Sequence, residues 1–479
     1  MHETLMNPQT RADASEVSDL VVIGGGISGL VLARDVMGLR PEWTVTVLEA
    51  EDRPGGTMRT ERVAQCLCEC GPGGFLTNVP DTRDLAVELG LEDRLLPARE
   101  AAENRYLWVR GALRAVPLKP PAFLRSDVLT LPGRVRVLAE PFIPKRRSGT
   151  DESVLAFATR RIGKEAARVL VDAMVSGVYA GDASTLSLCS TFPRMREMEE
   201  RYGSLIRAMI ALKKAKKTRG GPAGPGGVLT SFDDGMDVLV QGLANALGSR
   251  LVNGARVSSM SRQGSEYVVE AVVSGVPRTW RTRQLVLAVP SHVAAKLTQP
   301  FAPILAGELE QIPYAGLSVV CLIYRRSQIH HALNGFGFLV PKDQGLRILG
   351  AIWVGSVFPT HVLGDRVLLR VMLGGVRDPE GSMMSEGRSI DIAHADASRA
   401  LGGISGVPMA TRIFRHPKAI PQYVLGHPER LERIERSRLP GLHLAGNAYR
   451  GIGVNDCVRE SRALAERILA PASVEGERG

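Results

Sequence analysis

The stretch that decides the fold is LVVIGGGISG, residues 20–29. It joins the apolar run Leu20 to Ile23 to a glycine-rich turn, after which Leu30 to Val36 shows the apolar spacing of a helix. A second predicted strand, Thr44 to Leu48, completes the order strand, tight turn, helix, strand of a βαβ unit. This order predicts an α/β chain with a Rossmann-like, doubly wound parallel sheet.

The glycine spacing of this turn is typical of a dinucleotide site. Gly24 allows the sharp turn, Gly26 lets the backbone approach a pyrophosphate, and Gly29 packs the helix against the strand. The helix N-terminus then offers N–H groups and a positive dipole end to the phosphates. The cofactor contacts predicted here are Gly24, Gly25, Gly26, Ile27, Ser28 and Gly29.

The acidic residue at the end of the second strand narrows the choice of dinucleotide. Glu49 follows the glycines by about 20 residues, and its carboxylate suits a ribose 2′-OH but repels a 2′-phosphate. The pattern therefore favours FAD or NAD over NADP.

Two further segments favour FAD over NAD. Arg53-Pro54-Gly55-Gly56-Thr57 follows Glu49 and suits pyrophosphate contact, and the distant Gly451 to Asp456 loop follows the last predicted strand. A larger flavin nucleotide needs such distant anchors, so FAD is the predicted cofactor. The added cofactor contacts are Ala50, Arg53, Gly56, Thr57, Ile452, Gly453 and Val454.

At 479 residues the chain is long enough for about two to three domains. Helical spacing dominates from Phe123 to Ile210 and ends in a basic run and the flexible connector Gly220 to Gly227. Strand patterns then return, and the last predicted strand, Leu442 to Ala445, precedes a helix at Ser461 to Leu469. We predict a discontinuous FAD-binding domain at 17–100, 228–300 and 436–470, a helical insert at 101–215 and a mixed-sheet substrate domain at 301–435.

Composition limits the partners and the location. Sixty Lys and Arg against 50 Asp and Glu give a formal net charge of +10, which favours acidic partners such as carboxylate ligands or anionic lipid. No aromatic-studded basic motif, zinc-finger spacing or helix-turn-helix pattern points to nucleic acid. The polar stretch Met1 to Asp19 lacks the apolar core of a secretory signal, so we expect a cytoplasmic protein.

The cysteines and histidines indicate neither a metal site nor a disulfide. Cys66, Cys68 and Cys70 alternate like one face of a strand, whereas paired zinc ligands prefer a two-residue gap. We therefore predict that this trio fills the core. The nine histidines form no cluster with carboxylates at metal-ligand spacing.

Together with the glycine turn, Val286 to Pro290 and Ala445-Gly446-Asn447 resemble the flavin amine oxidase superfamily. Within it, seven strings resemble the oxygen-dependent protoporphyrinogen oxidases, in order from about Leu20 to about Leu469. They are Gly71 to Phe75, Asn104 to Leu107, Ser176 to Gly181, Gly335 to Pro341, Met372 to Gly375, Ile420 to Tyr423 and Val454 to Cys457.

The resemblance implies FAD-dependent oxidation of protoporphyrinogen IX to protoporphyrin IX, with molecular oxygen as acceptor and hydrogen peroxide as product. It places Arg105 at a substrate propionate, the Gly177 carbonyl at the pyrrole N–H groups, and Leu339, Ile352 and Met372 on the macrocycle faces. Further implied cofactor neighbours are Gly71, Pro72, Gly73, Gly74, Val257, His416 and Gly446. The sequence shows no convincing catalytic acid, base or nucleophile, in keeping with chemistry carried by the flavin.

The chain departs from this family's pattern at His416, where many relatives carry tryptophan, and at Asp234, which interrupts a usual glycine pair. Coproporphyrinogen III remains an alternative substrate. Two more distant alternatives for the function are a generic amine oxidase and a non-catalytic flavoprotein. The sequence leaves a homodimer open.

The insert also suggests contact with the inner face of the cell membrane. Its apolar and basic residues are mixed in a way that suits an anionic membrane surface, although an ordinary helical domain fits as well. The apolar members are Phe123, Leu124, Leu129, Leu131, Phe142 and Ile143, and the basic ones Arg125, Arg134, Arg136, Lys145, Arg146 and Arg147.

Overall fold

The computed structural model describes residues 16–117, 120–146, 149–219 and 227–470. Most of the predicted connector Gly220 to Gly227 lies outside these residues, as do Arg147 and residues 1–15 of the polar N-terminal stretch.

The first sheet contains seven strands that come from three separate parts of the chain. Its parallel strands are β1 (Glu16–Ile23), β2 (Val45–Leu48), β10 (Leu251–Val252), β13 (Val276–Leu287) and β19 (Leu442–Leu444). β11 (Ala255–Gln263) and β12 (Glu266–Val273) extend it as an antiparallel meander beside β13. The order is β10-β2-β1-β13-β12-β11, with β19 also paired to β13. This confirms the predicted discontinuous, Rossmann-like sheet.

Both faces of this sheet are buried, as expected for parallel strands. Leu20 and Val22 of β1 face one core, where the helices are α1 (Ile27–Leu39), α11 (Asp237–Leu247) and α17 (Val454–Leu469). Val21 and Ile23 face the other core, where the helices are α12 (Ser291–Thr298), α13 (Pro303–Glu310) and α16 (His427–Ser437). The alternation of side chains along β1 thus produces a three-layer unit.

The second sheet is mixed and also has seven strands. In spatial order they are β18 (Ala410–Pro421), β14 (Tyr314–Arg325), β17 (Arg366–Gly374), β16 (Gly350–Trp353), β15 (Gly337–Leu339), β7 (Arg105–Val109) and β8 (Ala112–Ala115). One face packs on α15 (Glu386–Ala400), and α14 (Val354–Val357) follows β16. Because β7 and β8 join this sheet, the strands of segment 101–115 belong with the substrate sheet and not with the helical insert.

The helical insert connects the two sheets. Its helices are α3 (Pro120–Arg125), α4 (Leu131–Leu138), α5 (Val154–Ile162), α6 (Lys164–Ala166), α7 (Asp172–Tyr179), α8 (Leu188–Thr191), α9 (Pro193–Tyr202) and α10 (Leu205–Arg219), with a π-helical turn at Ala167–Val171. The side chains of Thr130 and Ser153 cap the N-termini of α4 and α5. The basic run predicted at the end of the insert forms the last turns of α10.

Three small elements complete the fold. They are the hairpin β3 (Thr60–Val63) and β4 (Cys66–Glu69), the sheet of β5 (Phe75–Leu76), β9 (Leu229–Phe232) and β6 (Leu95–Pro97), and the helix α2 (Asp81–Glu88). Cys66, Cys68 and Cys70 are buried against the second sheet as predicted, and burial raises the pKa of Cys66 to about 11. Among the described residues, no helix combines the length and apolar character needed to cross a bilayer.

Candidate functional site

The glycine turn after β1 leaves one side of the backbone open. Gly24 has a φ of +106°, and the Gly25 N–H donates to the Glu49 carboxylate over 2.7 Å. A Cβ added at Gly25 would lie 2.9 Å from the Glu49 Cβ, whereas one added at Gly26 would meet nothing within 4 Å. The open side at Gly26, at the N-terminus of α1, fits a pyrophosphate.

The predicted second glycine pair lies directly against this turn. The Gly55 N–H donates to the Gly25 carbonyl over 2.7 Å, and Gly26 and Gly55 form a parallel β-bridge. Arg53 is already engaged, since its guanidinium donates to the Gly56 carbonyl and lies 3.4 Å from the Asp237 carboxylate. Arg53 therefore holds the loop that ends in the exposed Thr57.

The adenosine side of the site is built around Glu49, which precedes Ala50. The second carboxylate oxygen of Glu49 accepts the Glu51 N–H over 2.9 Å, and the Glu49 carbonyl accepts the Ala255 N–H at the start of β11. This places Val257 on the strand next to Glu49, where the resemblance expects the adenine. The carboxylate is ordered by two backbone donors before any ligand binds.

The C-terminal loop reaches the same place from the other end of the chain. Gly446 follows β19 with a φ of +114° and open space around its Cβ position, and Ile452 and Gly453 lead into Val454, the first residue of α17. Ser28 of α1 lies within hydrogen-bonding reach of the Cys457 thiol of α17. The first turns of the two helices are therefore adjacent, as required for distant anchors of one cofactor.

The segment Gly71 to Gly74 runs from the glycine turn toward the second sheet. A Cβ at Gly71 would come within 3.1 Å of the Thr57 Cβ, and one at Gly74 within 2.7 Å of the Thr230 carbonyl oxygen. All four residues, including Pro72 and Gly73, are half-buried. Only glycine permits this close backbone approach at the two ends of the segment.

The two departures from the family pattern have different surroundings. His416 lies half-buried beside this segment, with its Nε2 3.2 Å from the Cys70 carbonyl, and partial burial lowers its imidazole pKa. Asp234 is exposed in the turn between β9 and α11, and pairs with Arg62 at 2.6 Å. Of the two, only His416 lies against the expected flavin segment.

The second sheet gathers the predicted substrate residues on one face. Arg105, Gly337 and Ile352 occupy one cross-strand row. Leu339, Gly350 and Met372 occupy the next row, two residues along each strand. Because side chains two residues apart share a face, Arg105, Leu339, Ile352 and Met372 all project from the same side. We call this side the substrate face.

Helix α7 covers part of the substrate face. A Cβ on Gly177 would lie 2.7 Å from Leu339 Cδ2, so the helix backbone rests directly on that side chain. Ala180 closes the last backbone bond of α7, to the Ser176 carbonyl, and no described residue donates to the Gly177 carbonyl. An orphan carbonyl at a helix C-terminus is a ready acceptor for a ligand N–H.

Two apolar residues of α7 beside the substrate face were not among the predicted substrate contacts. Met174 and Val178 are 39% and 46% exposed, share one side of α7 at i and i+4, and border the exposed Gly177. Exposed apolar side chains on a helix that faces a substrate wall suit an apolar ligand. Their helical spacing around Gly177 could have identified both residues from the sequence.

Arg105 marks the outer end of the substrate face. It is exposed, and its guanidinium lies 5.6 Å from the Phe336 ring centroid. It also lines a cavity of about 750 Å³ together with Arg125 of α3, and Glu103 and Asp127 contribute acidic groups to the lining. Neither arginine forms an ion pair with a carboxylate among the residues that the structure describes.

The family model for flavin-containing amine oxidoreductases matches residues 27–469. The chain belongs to the flavin-containing amine oxidoreductase family. This membership makes it an FAD-dependent oxidoreductase, which confirms the predicted preference for FAD over NAD.

Curated relatives extend over nearly the whole chain. Human protoporphyrinogen oxidase is 32% identical over 94% of this chain and 98% of its own length, and the chloroplastic enzyme of Nicotiana tabacum is 31% identical over 96% and 87%. Coproporphyrinogen III oxidase of Bacillus subtilis is 28% identical over 94% and 97%.

Solved structures share the fold at lower identity. A crystal structure from Exiguobacterium sp. 255-15 has a TM-score of 0.81 at 24% identity, covering 95% of this chain and 99% of that chain. Putrescine oxidase bound to putrescine has a TM-score of 0.68 at 16% identity, covering 95% and 100%.

The geometry of these residues fits FAD. Gly26, Gly55 and the start of α17 would hold the pyrophosphate region, Glu49 the ribose, and the Gly71 to Gly74 segment would lie along the flavin ring. When bound, the flavin supplies the acceptor for a hydride. Among the described residues, no cluster of histidines, cysteines or carboxylates could hold a metal ion.

Proposed function

We propose that this enzyme oxidises protoporphyrinogen IX to protoporphyrin IX, with molecular oxygen as the final acceptor and hydrogen peroxide as the product. The observation that carries the proposal is the substrate face, on which Arg105, Leu339, Ile352 and Met372 project from one side of a sheet under Gly177. The names of the curated relatives support the same substrate class.

Each part of the site has a role toward such a substrate. The aliphatic and thioether side chains of Leu339, Ile352 and Met372 offer an apolar wall to a broad macrocycle, since methionine adapts well to aromatic surfaces. The unpaired Gly177 carbonyl accepts from pyrrole N–H groups. Arg105, two strands from Ile352 and so about 10 Å away, offers a planar guanidinium to a propionate.

The cavity beyond Arg105 supports a substrate with two carboxylates on one side. Arg105 and Arg125 place two guanidinium groups in one cavity, where each can bind a carboxylate. The proposed orientation has both propionates of protoporphyrinogen at the outer end of the site and its apolar substituents at the inner end.

The reaction requires little acid or base catalysis by the protein. Conversion to the porphyrin removes six electrons, as three hydrides from bridge carbons and three protons, two of them from nitrogen and one from the remaining bridge carbon. It consumes three oxygen molecules to give three molecules of hydrogen peroxide. The residues of the substrate face orient the macrocycle and exclude water, and Gly177 holds the N–H groups. Deuteration of the methylene bridges should slow anaerobic flavin reduction, and an isotope-insensitive rate would exclude hydride transfer as the limiting step.

Turnover assays with the purified holoenzyme test the proposal. We expect protoporphyrinogen IX to produce porphyrin fluorescence and oxygen uptake, and the variant Arg105→Met to raise KM with a smaller change in kcat. Preferred turnover of coproporphyrinogen III would support the activity named for the Bacillus relative instead. Oxidation of a simple amine, with neither porphyrinogen turned over, would overturn the substrate class.

We further propose that the insert rests on an anionic membrane surface. Leu131, Val135 and Leu138 form an exposed stripe at i, i+4 and i+7 on α4, and Phe142 beyond it is 81% exposed. The exposed cations Lys145 and Arg146 follow at once. An apolar stripe edged by cations suits anionic lipid.

Some of the residues expected at this surface lie elsewhere. Leu129 is buried, Phe123 and Ile143 are half-buried, and Arg136 donates to the backbone carbonyls of Arg160 and Arg161.

Sedimentation with vesicles tests the membrane proposal. The holoenzyme should sediment with phosphatidylglycerol-containing vesicles at low salt, and Phe142→Asp should release it. The control Val407→Asp changes an apolar residue outside the insert that is 74% exposed, and this variant should sediment like the wild type. The proposal would be contradicted if all three proteins sedimented equally, or if the wild type did not sediment with the vesicles.

A further inference from the structure

Arg370 is a cation on the substrate face that the roles above do not use. It lies on β17 two residues before Met372, and its cross-strand neighbours are Ile352 on one side and Cys321 on the other. Its side chain therefore projects from the same side as Ile352 and Met372, toward the Gly71 to Gly74 segment.

The guanidinium is fixed by backbone carbonyls alone. Nε donates to the Glu69 carbonyl over 3.2 Å, and Nη2 donates to the Gly71 carbonyl. Nη1 lies 3.4 Å from the position that a Cβ on Gly73 would occupy, so it extends along the segment. Two carbonyl acceptors hold the group rigidly but leave its full positive charge in place.

No described carboxylate lies within ion-pair distance of Arg370. Glu69, whose backbone carbonyl accepts from Arg370, turns its carboxyl group to Thr60 Oγ1 and the Met236 N–H, each at 2.9 Å, and burial raises its pKa to about 7. His416 is half-buried, and its lowered pKa keeps it neutral near neutral pH. The charge of Arg370 is therefore only weakly compensated.

Arg412 provides the contrast on the same row of the same face. Its neighbour across the sheet is Cys321, which is also the neighbour of Arg370. Arg412, however, makes a two-oxygen ion pair with Glu61, with its Nη2 3.1 Å from Oε1. Two arginines of one row thus differ in whether a carboxylate neutralises them.

The position of Arg370 relates it to the cofactor. The Gly71 end of the segment contacts Thr57, which adjoins the Gly55 and Gly26 bridge of the pyrophosphate site. A flavin ring that reaches from this bridge to the substrate face must pass the segment that Arg370 holds. A fixed cation beside a flavin stabilises the reduced ring, which carries an additional negative charge.

We propose that Arg370 raises the reduction potential of the bound flavin through its uncompensated charge. The proposal depends on FAD binding and not on the tetrapyrrole substrate. Its test requires no porphyrinogen, so it can fail or succeed independently of the proposed function.

The experiment compares the flavin potential of four holoenzymes by equilibration with a reference dye. Arg370→Met should shift the equilibrium at least tenfold toward oxidised flavin, which corresponds to about 30 mV for a two-electron couple. Arg370→Lys should recover most of the shift because it restores the charge. Arg412→Met is the matched control, because Glu61 already compensates that charge, and it should match the wild type.

Sulfite affinity provides a second readout, since sulfite forms an anionic adduct with oxidised flavin. Arg370→Met should weaken sulfite binding about tenfold relative to the wild type and Arg370→Lys, as expected from the same charge. If the Met variant loses FAD, the Lys variant is compared with Arg370→Gln. The proposal is overturned if the neutral variants keep the wild-type potential, or if Lys shifts it as far as they do.

Discussion

The backbone of Gly177 touches the side chain of Leu339 so closely that a Cβ on Gly177 would lie 2.7 Å from Leu339 Cδ2. Gly177→Ala should therefore push Leu339 into the space above the substrate face and turn the helix carbonyl away. We expect kcat/KM for protoporphyrinogen to fall by about 10- to 100-fold, as for a loss of about 1 to 3 kcal/mol of transition-state binding. FAD content should not change.

A second substitution checks this explanation. Val at position 339 is smaller, so Gly177→Ala combined with Leu339→Val should recover part of the lost kcat/KM. A double variant that is no better than Gly177→Ala would show that the contact with Leu339 is not the cause.

Glu49 should set the affinity for FAD. Glu49→Gln keeps an acceptor for the Gly25 N–H but removes the charge that suits the ribose hydroxyls, and we expect the FAD dissociation constant to rise at least tenfold, about 1.4 kcal/mol. Flavin absorbance titration measures it. Glu51→Gln changes a neighbouring carboxylate that is 73% exposed and should leave the affinity unaltered.

Glu69 should make the stability depend on pH. Burial raises its pKa from 4.5 to about 7, so between these pH values the folded protein holds a proton that the unfolded chain has lost. Raising the pH through this window should lower the free energy of unfolding of the wild type relative to Glu69→Gln, by up to about 3 kcal/mol. Urea unfolding at several pH values measures the difference.

Glu61 in the same hairpin provides a control of opposite sign. Its hydrogen bond with Arg412 lowers its pKa, so its contribution to stability is present above pH 4.5 and is lost as the pH falls further. A parallel change for Glu69→Gln and Glu61→Gln would contradict the assigned causes.

The buried ion pair of Arg161 and Glu140 should hold the helical insert together. Both side chains are fully buried, and Arg161 Nε donates to Glu140 over 2.7 Å. Arg161→Met leaves a buried carboxylate without its cation and should destabilise the insert by about 3 to 5 kcal/mol. Limited proteolysis should then cut the insert first, whereas Arg436→Met, in an exposed pair with Glu432, should not alter the digestion pattern.

The elements with local signals were predictable from the sequence. The run LVVIGGGISG produced a strand, a turn and a helix because strand pattern, glycine spacing and helical periodicity agree there. The predicted strand of residues 442–445 also formed, one residue shorter at its C-terminal end.

The arrangement of the substrate site required strand order, which local patterns do not encode. Arg105 and Ile352 share a row only because β7 pairs in parallel with β15, across more than 200 residues of sequence. Because of the same pairing, β7 and β8 belong to the second sheet and not to the helical insert. The sequence around Arg370 did not indicate a functional role. Arg370 differs from other arginines only in the folded structure, where its neighbours are buried and no described carboxylate pairs with it.

The most direct test of the proposed function is anaerobic reduction of the flavin by protoporphyrinogen IX in the purified holoenzyme. We predict loss of the oxidised flavin spectrum on mixing, with porphyrin fluorescence appearing after oxygen is admitted and three oxygen molecules consumed for each porphyrin formed. An oxidised flavin spectrum that persists with protoporphyrinogen but disappears with coproporphyrinogen III or an amine would contradict it.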